Sequence, residues 1–287
     1  VGQHLNRAKR YFGSDARGLL DGGRYSLLHS RSLEFDDLRP YVPGDDVRDI
    51  DWKATARSGT VLIKRFVSEK HHKILLVADA GVNMTALAAG GELKRDVAAA
   101  ILGSFGLITM GRADEIGMVY GDVRGCVRIR HRRGETHIEA LLDRFYRHTT
   151  TDPAASDIGT QLRYVATHYR HPMLVVVVSD EPDTDGSLAE VVDRLTARHD
   201  VLWAMVSDMP AVSGDVDGYD VATGRVVPSG TRLGRRLQSV YRRAEQQRRD
   251  RLEAFLTERA IPFAAIGRSD EIRPRLVAMT EVFARAG

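Results

Sequence analysis

Residues 74–79 read ILLVAD and residues 173–180 read MLVVVVSD. Each is an unbroken apolar run of strand length that ends in an aspartate. A strand with one face in water alternates apolar and polar residues. A run with no polar interruption is covered on both faces, as in the centre of a parallel sheet. The residues after the first run fit that reading. Beyond the loop GVNMTALAAGG, Val97, Ile101, Phe105 and Ile108 recur every three or four positions, which predicts a helix that stops at Gly111.

The pattern continues along the chain. IGMVYGD (116–122) and CVRIR (126–130) predict a hairpin, and residues 135–148 and 157–170 predict helices with TTTDPAAS as the loop between them. SLAEVVDRLTARH (187–199) predicts a helix, VLWAMVSD (201–208) a strand, and residues 219–230 a short hairpin. A long basic helix is expected over 232–260, then the strand IPFAAIG and a last helix over 271–286. Alternating strands and helices give an α/β, Rossmann-type fold: a mostly parallel sheet, helices on both faces, an antiparallel edge. Residues 1–73 are more polar, with strands expected around 32–42 and 60–67. They are read as a small N-terminal β-rich segment ahead of an α/β domain over 74–287.

Composition bounds the function. The 287 residues are 43% apolar, enough for a sizeable core, and the net charge of +3 gives little support for nucleic acid. Of 42 basic residues only six are Lys, the last being Lys94; the remaining Arg are spread along the chain. The single cysteine, Cys126, excludes an internal disulfide and a CxxC metal knuckle. No apolar run reaches the ~18 residues that cross a bilayer, and a soluble cytoplasmic chain is expected. GxxxxGK[ST], GxGxxG and GxSxG are all missing from the sequence, which argues against a P-loop ATPase, a dinucleotide enzyme and a serine hydrolase.

In parallel sheets, ligands sit beyond the carboxyl ends of the strands. Asp79, Asp180 and Asp208 are all expected there. The loop DAGVNMT begins at the first of these, and a strand-end Asp with oxygen-bearing residues two and four positions on can hold a hard cation such as Mg2+ (or Mn2+ or Ca2+), which wants oxygen ligands. A further oxygen would come from Ser156 or from Thr149, Thr150 or Thr151, and a distant carboxylate from Asp180. Upstream, YVPGDDVRDIDWKATARSG (41–59) gathers Asp45, Asp46, Asp49 and Asp51 before Trp52. It lacks the spacing of a calcium loop. Its interleaved Arg39, Arg48, Lys53 and Arg57 suggest internal ion pairs and a structural or docking platform, with Ile50 and Trp52 pinning it to the sheet domain.

These two stretches together resemble the bacterial domain-of-unknown-function family 58, whose members carry a von Willebrand factor A-like domain. The matching positions are Arg39, Tyr41, Pro43, Gly44, Asp45, Arg48, Ile50, Asp51, Trp52, Ala56 and Arg57. The likeness covers roughly residues 20–210. It implies a metal-ion-dependent adhesion site of the pattern Asp-x-Ser-x-Ser, then Thr, then Asp, here falling on Asp79, Asn83, Ser156 and Asp180. Gly81 and Asn83 replace the two serines, so the site is degenerate. The resemblance implies a non-enzymatic protein-interaction adaptor. It would work with a MoxR-type AAA+ ATPase or a client protein, with Arg39, Tyr41, Asp45, Arg48, Asp51, Trp52 and Arg57 as structural or docking residues. The alternatives are a metal-dependent hydrolase or phosphotransferase using Asp79 and Asp180, or nucleic-acid binding through helix 232–260.

Overall fold

The computed structural model describes residues 2–13, 35–43, 45–66, 73–112, 114–184, 186–210 and 217–286. In chain order the elements begin with α1 (Gln3–Phe12), β1 (Phe35–Pro40), α2 (Trp52–Ser58) and β2 (Leu62–Phe66). Next come β3 (Lys73–Asp79), α3 (Lys94–Arg112), β4 (Glu115–Asp122), β5 (Gly125–Arg132), α4 (Glu135–Thr151) and α5 (Ile158–His168). The chain continues through β6 (Leu174–Ser179), α6 (Gly186–Thr196), β7 (Asp200–Val206), β8 (Gly218–Asp220) and β9 (Arg225–Val227). It ends with α7 (Gly230–Glu258), β10 (Phe263–Ile266) and α8 (Ile272–Ala286).

Six strands form one sheet in the order β10-β7-β6-β3-β4-β5. All neighbours are parallel except β4 and β5, which form the antiparallel edge hairpin. The apolar runs became central strands because both of their faces are covered. Ile74, Leu76 and Ala78 of β3 pack with side chains of α1, α3, α4 and α8. Leu75 and Val77 pack on the other face with α5, α6 and the C-terminal part of α7. Period-two alternation thus divides one strand between two cores.

The chain separates into two compact units, one of residues 1–28 and 72–287, the other of 29–71. The expected division at 73/74 therefore differs at the N-terminus, because α1 belongs with the α/β unit. Its Leu5, Ala8 and Phe12 are buried, at the spacing of one helix face. The amides of His4 and Leu5 donate to Glu139 Oε1 and Oε2 of α4 at 2.8 and 2.9 Å. A carboxylate from another helix thus satisfies N–H groups that the first turn leaves open.

The smaller unit holds β1 and β2, paired antiparallel, and α2. Ile50 is buried and bridges Ile63 of β2. Asp51 caps α2 by accepting from the amides of Lys53 and Ala54 at 3.0 Å each. Trp52 is 67% exposed. It is the first residue of α2, whose seven residues bury none of their side chains. Gly44, His71 and His72 lie outside the described residues, as does the side chain of Asp49.

Candidate functional site

Because β3, β4, β6 and β7 are adjacent and parallel, their carboxyl ends share one rim. Asp79 ends β3, Asp122 ends β4, Asp180 follows β6 and Asp208 lies just past β7, bridging Ala88. Asp79 and Asp180 are both buried. The structure thus brings Asp79, Asn83, Ser156 and Asp180 together. Asp79 Oδ1 accepts the Gly81 amide at 2.8 Å, which closes the turn after the strand. Ser156 Oγ accepts the Asn83 amide at 3.2 Å, and Asn83 Nδ2 donates to Asp180 Oδ2 at 2.6 Å. Burial pushes the Asp79 carboxyl up to about 7, and the Asp180 charge adds to it. The Gly81 amide, the Ser156 hydroxyl and Lys94 pull the other way without cancelling it. Burial also raises Asp180, against the opposing pull of Lys94.

Three residues that pattern reading did not place at this rim complete the cluster. Lys94 opens α3 with its side chain 1% exposed. Its ammonium donates to Asp208 Oδ1 and lies 3.8 Å from Asp180 Oδ2. Arg248 of α7 donates to the Glu181 carbonyl at 2.9 Å, to Glu181 Oε2 at 3.0 Å and to Asp208 Oδ2 at 3.2 Å. Arg249 reaches Glu181 Oε1 at 3.3 Å. One signal for Lys94 was legible: it is the last of only six Lys, at the start of an apolar helix in an Arg-rich chain.

Asp122 organises the next loop. Burial opposes its ionisation. The Arg124 guanidinium and amide, the Ala154 amide and His148 outweigh burial and hold the carboxyl well below the ordinary range. The loop is also held by main-chain bonds from Val82 to Ala154 (2.7 Å) and from Val123 to Ala155 (2.9 Å). Thr149, Thr150 and Thr151 are not in this loop, as expected from sequence, but in the last turn of α4. Their hydroxyls donate to carbonyls of Tyr146 and Arg147, the local back-bonding typical of helical Thr.

The upstream segment uses its charges locally. Arg39 makes a two-pronged bond to Asp45, at 2.8 and 2.6 Å, and Asp45 also accepts the Val42 amide at 2.9 Å. Arg48 folds back on Asp46 at 2.9 Å with its own side chain largely exposed. These pairs are partly or fully exposed, not buried forks, so they fix a loop geometry and contribute little stability. Tyr41 is half-buried, and Arg57 is exposed in the last turn of α2.

Helix α7 is also not uniform. Gly234 breaks it with φ +72°, and among its described side chains Leu252, Phe255 and Leu256, near the C-terminal end, enter the core. Leu237, Val240 and Tyr241, apolar residues of the same helix, are 43%, 56% and 41% exposed. Over the strand ends lies a cleft of about 1280 Å³, with Asn83, Asp157, Pro182, Tyr219, Val226 and Tyr241 among its walls. No helix among the described residues is long and apolar enough to cross a membrane.

The chain is similar to uncharacterised proteins of Mycobacterium bovis and Mycobacterium tuberculosis. They are 27% identical over 219 residues, which is 73% of this chain and 67% of theirs. Among solved structures, an aerotolerance-related membrane protein from Bacteroides fragilis aligns with 13% identity and a TM-score of 0.46, over 73% of this chain and 99% of that one. A von Willebrand factor type A protein from Catenulispora acidiphila aligns with 12% identity and a TM-score of 0.42, over 74% of this chain and 42% of that one. The profile of the family described as "Protein of unknown function DUF58" matches residues 37–251. That span contains both the upstream acidic segment and the strand-end rim, and the chain belongs to the DUF58 family.

Proposed function

We propose that this chain is a non-enzymatic docking protein whose cleft over the strand ends holds a basic, apolar-anchored segment of a partner. The partner in this reading is a MoxR-type AAA+ ATPase, acting with the chain in cytoplasmic protein remodelling or complex assembly. The cleft carries the reading. Its lining includes nine carboxyl side chains against four basic ones, so a basic segment is favoured over an acidic one. Tyr219 and Val226 of the small β8–β9 hairpin are 65% and 64% exposed, and Tyr241 of α7 is 41% exposed. Exposed aromatic residues beside a polar rim are the usual anchors of a protein interface.

The chemistry of the rim supports binding more than catalysis. Asp180 Oδ2 already accepts from Asn83 and faces the Lys94 ammonium, so it is not free to act as a base. Arg248 and Arg249 are committed to Glu181 and Asp208, which removes two of the cations a phosphate-reading α7 would need. The test is equilibrium binding of a MoxR-type ATPase to the full chain and to a Tyr219→Ala/Tyr241→Ala variant. Loss of two anchors is expected to weaken binding at least about tenfold. Equal affinity for both, or no binding by the unaltered chain, overturns the proposal.

A further inference from the structure

We propose that Lys94 is a built-in cation that takes the place of a divalent ion at the Asp79–Asp180 rim, so that the site is assembled without metal. The inference stands independently of the docking reading.

The residues present do not fit a divalent ion. A hard cation needs several oxygen lone pairs converging on one point. At position 81 the chain offers none, and a Cβ built there would lie 2.5 Å from Ser156 Cα, 2.5 Å from Ser156 Oγ and 2.7 Å from Ser156 N. The neighbouring loop fills the space that a side-chain ligand would take. Asn83 turns a proton donor toward Asp180, at 2.6 Å, and its amide spends Ser156 Oγ as an acceptor at 3.2 Å. The Lys94 ammonium, 3.8 Å from the same Asp180 oxygen and bonded to Asp208, would repel any ion placed between the carboxylates.

Three carboxylates of this cluster already face cations of the chain itself. Lys94, Arg248 and Arg249 face Asp180, Glu181 and Asp208. The remaining carboxyl, Asp79, is buried and its Oδ1 accepts the Gly81 amide at 2.8 Å. A lysine with its side chain 1% exposed is tolerated when its ammonium is paired, and here the pairing is with carboxylates from two different strand ends. The ammonium therefore ties β6 and β7 to the start of α3, as a shared metal ion would.

Two measurements on the full chain test this. The first is titration with Mn2+ followed by electron paramagnetic resonance, with Asp79→Ala as control. No stoichiometric uptake by the unaltered chain is expected. One Mn2+ held per chain and lost in the control overturns the proposal. The second is a melting comparison of Lys94→Met with Lys94→Met/Asp180→Asn. Stripping the ammonium from the buried Asp180 and the half-buried Asp208 is expected to lower Tm by about 10 °C. Neutralising Asp180 as well is expected to restore part of that loss. A Lys94→Met chain as stable as the original, or a double variant less stable than Lys94→Met alone, overturns it. The titration needs no Lys94 variant, so it decides the matter if Lys94→Met does not fold.

Discussion

Asp79→Asn should make this protein more stable at alkaline pH. In the folded chain burial raises the Asp79 carboxyl from 3.8 to about 7. Between those values the folded state binds more protons than the unfolded state, so stability falls as pH rises from about 4 to about 7 and then levels off. The full displacement corresponds to roughly 4 kcal/mol. Above pH 7 the unaltered chain carries that whole cost. Asparagine removes the charge, and its carbonyl can still accept the Gly81 amide that now bonds Asp79 Oδ1 at 2.8 Å. The substitution also removes the repulsion between Asp79 and the Asp180 charge. Urea unfolding across pH 4 to 8 is the assay. The variant should match the original near pH 4 and exceed it by about 2–4 kcal/mol near pH 8. Its pH slope should be smaller, with a residue left by Asp180, which burial also raises. A variant less stable than the original near pH 8 would refute the claim that Asp79 is a burdened carboxyl.

Two other perturbations probe the same framework. Gly81→Ser should cost about 1–3 kcal/mol, because the new Cβ would overlap the Ser156 backbone; increased protease cleavage at residues 152–157 is the readout. Glu139→Ala should free the amides of His4 and Leu5 and loosen α1, seen as faster amide exchange confined to residues 3–12, while exchange in the central strands is unchanged.

Much of the architecture was legible because its signals are local. The runs at 74–79 and 173–180 announce strands covered on both sides, since no polar residue interrupts them, and the structure makes them the two central neighbours. The helix that follows Lys94 shows its face through residues spaced three and four apart. Other elements were misjudged where local pattern is silent. Thr149–Thr151 look like loop but extend α4, because Thr hydroxyls can bond the preceding turn. The first helix went unread because its Leu5, Ala8 and Phe12 stripe is short and set among charges. Leu237, Val240 and Tyr241 share an apolar stripe with Leu252 and Phe255, yet Gly234 breaks the helix and these three remain 41–56% exposed.

By itself, then, the sequence determined the order of strands and helices, the parallel sheet and the strand-ending aspartates, because each is written in the spacing of neighbouring residues. It also carried the acidic segment on which the resemblance to the family rests, and that segment lies inside the matched span. Only the tertiary structure decided what those aspartates face. Lys94, Asp208 and Arg248 are far apart along the chain and have no fixed spacing to one another. They meet because β6 and β7 run side by side while α3 and α7 converge on their ends. Whether a carboxylate rim is open to a cation or already neutralised from within depends on that convergence, and no local pattern encodes it.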